Sequence, residues 1–398
     1  MFLNTPLIIV DTQEKLIELV ERLSNAPIIG VDTESDSFHH YQEKVCLIQF
    51  SDLENDYILD PLQVDDMSPL APIFANPDIV KVLHGADYDV VCLRRDFDFI
   101  FKNLFDTMIS SQMVGLPRVG LADLIERFFG HQIDKQYQRH DWAKRPLLPE
   151  HVEYARGDTH FLLALREMLI RKLEKAGRLD HVIEECEILE RREWVPKPFN
   201  PDGFLRIKGT HGLSDASKRI LKRLYLYRDG EARRLDRPAF KVIPDPVLVT
   251  VARSQPNSPE ALDKLFRSKN PMKRRHGTQL LEAVREGLQD DYEIPVKKRV
   301  TVKGPKPKLT GRAAERGFQA LKSWRNDLVA GESKLSPVTV ASNTTLKAIV
   351  NQYPKDLVEL GLIAEVRRWQ VRDYGTTILD ILRNSITHEN SATATQKK

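Results

Sequence analysis

The sequence predicts a mixed α/β domain followed by two all-helical modules. Short apolar or alternating runs crowd the first 83 residues, helical patterns dominate after residue 200, and proline-rich stretches interrupt the chain near residues 196–203 and 295–307. At 398 residues the chain is also longer than one hydrophobic core usually serves. In order, residues 7–10, 28–31, 45–50 and 57–59 read as strands, the middle ones as an antiparallel meander. Residues 79–83 form a further strand candidate that leaves through His84-Gly85-Ala86 into a helix. A helix over 121–129 closes at Gly130, and a longer one runs from Pro149-Glu150 to Gly177, with helix continuing through Glu184 to Trp194. The boundaries expected are 1–195 for the α/β domain, 196–212 for a linker and 213–292 for a first helical module. A basic linker over 293–310, a second module over 311–388 and a disordered polar tail over 389–398 complete them. A weak repeat supports the two modules: residues 224–228 resemble 321–325, and the same shift of 97 places Gln255 on Gln352.

Composition narrows the class. Hydrophobic residues make up 41% and charged residues 29%, a globular balance. No apolar run approaches the roughly 20 residues of a membrane span, and residues 6–10 are too short for a secretory signal. Cys46, Cys92 and Cys186 form no C-x-x-C pair, against a disulfide framework or a structural zinc. The expectation is a cytosolic protein with no membrane association. Charge is split between the halves: residues 1–195 carry 21 Lys and Arg against 35 Asp and Glu, net −14, and residues 196–398 carry 39 against 22, net +17. An acidic catalytic or metal-binding part joined to a part that can lie on polyanions fits that asymmetry; so do two ordinary domains that happen to differ.

Asp32-Thr33-Glu34 ends an apolar strand, so the two carboxylates point to one face of a sheet. Close carboxylates repel, and a pair of Mg²⁺ or Mn²⁺ ions, which prefer oxygen donors, is one solution. The motif alone is weak, since D-x-E recurs at 229–231 and 291–293. Tyr154 and Asp158 share a helical face. Asp158 can complete a metal site and Tyr154 can hold an attacking water, though a phenol of ordinary pKa, about 10, is a poor base. That spacing too recurs, at 137–141 and 225–229. Asp89, near the start of the helix after His84, is either a ligand or an ordinary acid in a first turn, as is Asp87. His84 can meet a phosphate or serve as a structural hydrogen-bonding group.

In this order the pieces resemble the DEDD exonuclease superfamily, in its tyrosine-bearing branch. Residues 31–34, 47–49, 84–89, 95–97, 105–107, 141–142, 145–147 and 154–159 narrow the likeness to ribonuclease D and its nuclear exosome relatives. In that pattern the ligand lies seven residues before the Asp of Arg95-Asp96-Phe97, which selects Asp89 over Asp87. Residues 221–265 resemble an HRDC domain, and residues 318–382 a second, more divergent copy without the Ile243-Pro244-Asp245 element.

The resemblance implies a ribonuclease-H-like nuclease, a mixed central sheet flanked by helices, followed by two all-α HRDC domains. It implies catalytic Asp32, Glu34, Asp89, Tyr154 and Asp158, with the four acids holding two divalent cations, Mg²⁺ or Mn²⁺. The activity implied is removal of 5′-mononucleotides from RNA 3′ ends, transfer-RNA precursors among them, with no obligate protein partner. A DNA exonuclease and an inert nucleic-acid-binding protein are the alternatives. Phosphate contacts are expected from the basic half, first at Lys269, Lys273, Arg274 and Arg275, with His84 as a further candidate, whereas the places of Tyr227 and Trp324 in the repeat favour packing over base stacking.

Overall fold

The computed structural model describes residues 5–134, 136–196, 198–266, 271–295, 308–331 and 335–394. Six strands form one sheet: β1 (Leu7–Val10), β2 (Ile28–Ser35), β3 (Val45–Ser51), β4 (Asp56–Leu59), β5 (Val80–Leu83) and β6 (Leu104–Asp106). Their spatial order is β1-β4-β3-β2-β5-β6. The expected meander is present, since β2–β3 and β3–β4 pair antiparallel, while β1 joins β4, and β5 and β6 extend the other side, all in parallel. β3 and β4 are buried along their whole length, which is why they read as continuous apolar runs. The three-residue β6 had no periodicity to show itself by.

Around the sheet lie α1 (Gln13–Ser24), α2 (Ala71–Ala75), α3 (Asp87–Phe97), α4 (Thr107–Met113), α5 (Leu121–Phe129), α6 (Pro149–His160), α7 (Leu162–Ala176) and α8 (Leu179–Glu190). The helix expected from Pro149 to Gly177 is two helices that break at Phe161. Leucine periodicity ran through the break because both pieces bury a face. The break brings the α6–α7 junction down on β2 at Gly30, where an added Cβ would stand 3.1 Å from Leu163 Cδ1 and 3.2 Å from the Thr159 carbonyl oxygen. α8 ends at Glu190, short of the expected Trp194, whose ring is substantially exposed.

The remaining helices are α9 (Asp215–Arg234), α10 (Ala239–Val242), α11 (Asp245–Ser254), α12 (Pro259–Leu265), α13 (Pro271–Gln289), α14 (Gly311–Ala330), α15 (Pro337–Val340), α16 (Asn343–Gln352), α17 (Leu357–Gly361) and α18 (Arg368–Ala394). They make two modules with separate cores. The repeat is real, with one correction to its register. Buried Arg228 donates to the Ile243 carbonyl (3.0 Å) and pairs with Asp245, and buried Arg325 donates to the Ala341 carbonyl (2.8 Å) and to Asn343 Oδ1 (3.0 Å). The arginines are 97 apart and their partners 98, so an extra residue enters after the first helix of the second copy. Gln255 therefore matches Tyr353 rather than Gln352, and both take left-handed φ at a helix end, 47° and 43°. Tyr227 and Trp324 pack within their modules, Tyr227 hydrogen-bonded to His276 (2.8 Å) and Trp324 edge-on to Tyr374.

Two expected boundaries shift. Phe204 is fully buried in the first module's core and Ile207 nearly so, so much of 196–212 is packed chain rather than linker. Turn-rich composition reads alike in both cases, and Phe204 was the contrary sign. α18 runs to Ala394, beyond 388, into the stretch expected to be a disordered tail. Lys269 and residues 296–307 of the basic linker lie outside the described residues. No helix among the described residues is long and apolar enough to cross a membrane.

Gly30→Ala should cost about 1–3 kcal/mol by overpacking the α6–α7 junction, seen as a lower urea midpoint at unchanged m-value.

Candidate active site

β2 pairs with β5 only as far as Gly30 opposite Val82, then runs on alone on that side to Ser35. The chain leaving β5 turns at Gly85, whose φ of 73° suits glycine, and starts α3 alongside the uncovered part of β2. Buried Asp106 fixes that turn: one oxygen accepts from Ala86 N (2.8 Å), the other from Met108 N (2.7 Å) and Ile109 N (2.9 Å) at the start of α4. Asp89 then sits in the first turn of α3, where the Thr33 hydroxyl donates to its Oδ1.

α6 crosses the same region and brings Tyr154 and Asp158. A buried network holds it there. The Ser51 hydroxyl bridges Asp56 Oδ1 (2.6 Å) and Thr159 Oγ1 (2.8 Å), and Arg156 Nε donates to Asp56 Oδ2 (2.8 Å), which also meets His160 Nδ1 (2.8 Å). Burial would push the Asp56 carboxyl up, but hydrogen bonds from His160, Ser51, Thr5 and Arg156 hold it down at about 2. Tyr154 is fixed from its other side by buried Trp142, stacked 5.8 Å away at 29°, and by Tyr137 edge-on at 5.8 Å. Arg145 pins the Trp142 loop by clasping Asp60 (2.5 and 2.7 Å) while donating to the carbonyls of Trp142 and Cys46.

The structure brings Asp32, Glu34, Asp89, Asp158 and Tyr154 together. Burial, then the charges of Asp89, Asp158 and Glu34, pushes the Asp32 carboxyl far up, and burial with Asp158 and Asp89 does the same to Glu34. Asp158 rises to about 7 through burial and Asp89. Asp89 rises to about 6 by burial, opposed by its hydrogen bonds to Thr33. Tyr154 is pushed well above the usual phenol value by burial and by Asp158, Glu34 and Asp32, so it keeps its proton. Asp87 lies elsewhere, exposed and paired with Arg192 (2.8 Å).

The donors suit hard divalent cations: all carboxylate oxygens, mutually repelling, in one half-buried place. As they stand, no three His, Cys, Asp or Glu side chains among the described residues are grouped to hold one ion.

The candidate RNA contacts fall apart into different roles. His84 is drawn into the fold between the Thr107 hydroxyl (2.9 Å) and the backbone of Val119, and burial lowers its pKa. Lys273 pairs with Asp263. Arg274 and Arg275 stand exposed on α13 without an ion pair among the described residues. Thr33, Ser51, Asp56, Asp106 and Thr159 were not singled out from sequence. Thr33, Asp106 and Thr159 lie inside blocks that carry the family likeness, but their roles come from partners up to 108 residues away, and Ser51 and Asp56 lie in no such block.

A family model described as 3′-5′ exonuclease matches residues 7–174, and one described as HRDC domain matches 217–284 and 314–382. The crystal structure of the catalytic core of RRP6 from Trypanosoma brucei is 32% identical, with a TM-score of 0.65 over 73% of this chain and 82% of that one. The chain belongs to the ribonuclease D-like family of 3′-5′ exonucleases with HRDC domains. A second member, Escherichia coli RNase D, whose structure is described as that of an exoribonuclease involved in structured RNA processing, is 28% identical. It covers 94% of this chain and 98% of that one, at a TM-score of 0.65. The exosome complex exonuclease RRP6 of Saccharomyces cerevisiae is 32% identical over 71% of this chain and 40% of its own length. The exosome complex component 10 homolog of Caenorhabditis elegans is 37% identical over 64% of this chain and 29% of its own. The chain thus spans well under half of those two relatives.

The raised carboxyls carry a stability cost with a definite sign. Asp158 binds its proton more tightly folded than unfolded, so metal-free stability falls as pH rises from about 4, its unfolded value, to about 7. Asp158→Asn should therefore melt several degrees above the parent at pH 8 in EDTA, and the gap should close by pH 4. Scanning calorimetry at the two pH values checks this.

Proposed function

We propose that this chain is a metal-dependent 3′-5′ exoribonuclease that releases 5′-mononucleotides from RNA 3′ ends. Structured RNAs such as transfer-RNA precursors would be its substrates. The observation that carries the reading is the meeting of four carboxylates and one tyrosine from β2, α3 and α6, each raised in pKa by burial or by the others. Family membership supplies the reaction class, and the Escherichia coli relative, described as an exoribonuclease, favours RNA over DNA.

Asp32, Glu34, Asp89 and Asp158 would hold two divalent cations, Mg²⁺ or Mn²⁺. When bound, these supply charge stabilisation at the phosphodiester and a nucleophile from water at neutral pH. The chain's own residues do the rest. Tyr154, with its proton retained and its ring held by Trp142 and Tyr137, orients the water by a hydrogen bond and does not act as the base. The Asp56 network sets where α6 presents Tyr154 and Asp158. Arg274 and Arg275 draw the RNA backbone in from the first helical module, with an affinity that falls as salt rises.

The test uses a 5′-labelled RNA with a short single-stranded 3′ tail, the purified chain alone, and Mg²⁺ or Mn²⁺. Products should shorten from the 3′ end, stop with EDTA, and slow by about 10²–10³-fold or more in Asp89→Asn. A DNA of the same sequence should compete poorly. No shortening with either metal would leave a basic nucleic-acid-binding protein.

A further inference from the structure

Gln49 is fully buried on β3, and neither its Oε1 nor its Nε2 has a hydrogen-bond partner among the described residues. An amide buried with both ends unpaired is costly, and a native fold that keeps one calls for a reason. Its place on the sheet supplies one. In the antiparallel β2–β3 pair Gln49 lies directly opposite Asp32. Residues opposed in this way share a face, with Cβ atoms about 4.5–5.5 Å apart, within reach of a glutamine amide and a carboxylate.

The face in question is the one α6 covers. Ser51, two residues on and so on the same face as Gln49, bridges to Thr159 of α6 (2.8 Å). Gln49 therefore sits beside Asp32 on the face covered by the helix that carries Tyr154 and Asp158. It is too deep to touch an RNA. An apolar side chain of equal length would fill the space without an unpaired amide, so packing alone does not account for it.

We infer that Gln49 is a positioning residue whose amide N–H, unpaired as the site stands, takes up the Asp32 carboxylate when cations bind and sets its orientation. The inference rests on the two-cation reading above. An outer partner of this kind fixes the rotamer of a ligand and leaves its other oxygen free, and losing one typically weakens metal affinity about 10–100-fold.

The full chain, Gln49→Met, Gln49→Asn and Asp32→Asn are titrated with Mn²⁺, reading the rise in Tm as the metal is added. The parent should be stabilised saturably and Asp32→Asn should lose that response. Gln49→Met should fold with an unchanged or higher Tm in EDTA, since it removes a buried unpaired amide, yet need about 10–100-fold more Mn²⁺ for half its shift. Gln49→Asn, one carbon short, should show the same weakening, and it decides the matter if the methionine variant does not fold. The inference is overturned if the glutamine variants titrate like the parent while Asp32→Asn does not respond. If the parent and Asp32→Asn give the same response, the two-cation reading fails and takes the inference with it.

Discussion

Four carboxylates that would rather be apart are brought together from β2, α3 and α6, and the packing of α6 completes the set. What acts most on Asp32, Glu34 and Asp158 is burial, followed by the charges of neighbouring acids, Asp89 among them in each case, so the metal-free site opposes its own folding. What overcomes this lies behind the site. Asp56, Arg156, Ser51, Thr159 and His160 form a buried, hydrogen-bonded ionic cluster that fastens α6 to β3 and β4. Gly30 lets the α6–α7 junction come down onto β2. The acids that repel and the acid that anchors are two carboxylate populations of opposite character. Asp56 is held down at about 2 by its donors, while Asp158 is driven up to about 7 by burial and a like charge. Only the second kind gains by taking up cations.

This division explains what could be read in advance. The carboxylates and Tyr154 sit within short motifs, and each motif lies on an element whose periodicity is strong. β2 shows as an apolar run, and α6 as the start of a leucine-rich helical pattern. The order of the motifs then carried the family likeness. The anchoring role has no such signature, even where its residues, Thr33, Arg156 and Thr159, fall within those motifs. Ser51 is one serine at a strand end, and Thr33 is merely the residue between two acids. Their meaning comes from partners dozens of residues away, and a one-dimensional pattern does not record that. The β6 strand and the break at Phe161 escaped for a related reason: three residues set no period, and two helices that bury the same kind of face keep one period across the joint.

The helical half gives a sharper case. Matching the two modules at a shift of 97 holds for the buried arginines of α9 and α14 and fails by one residue afterwards. The correct register rests on a shared hydrogen bond to a carbonyl at the next turn. In the first module that arginine also meets the carboxylate of Asp245, in the second the neutral amides of Asn343 and Asn326. The buried guanidinium of the second copy is thus less well compensated, and burial lowers its pKa. Loss of the Ile-Pro-Asp element is the visible trace of this change in the sequence.

The charge split between the halves has two uses, and the structure separates them. Part of the excess of basic residues is spent within the protein. At the start of α18, Arg367 just before the helix pairs with Glu185 (2.9 Å), and on the helix Arg368 pairs with Glu187 (2.6 Å) and Arg372 with Asp180, all three acids on α8, with Trp369 stacked on His181 at 4.4 Å. On the first module, Asp236 accepts from His40 (2.7 Å), Asp229 accepts from the Tyr41 hydroxyl (2.9 Å), and Arg233 covers the Tyr41 ring. These contacts seat both modules on the nuclease. The net +17 of the second half therefore overstates what is free for a polyanion, because the arginines at the seams already face carboxylates. Arg274 and Arg275 differ in being exposed on α13, away from those seams, without an ion pair among the described residues. A phosphate backbone meeting them would displace no ion pair among the described residues, so its attraction to them would not be offset by breaking one of those.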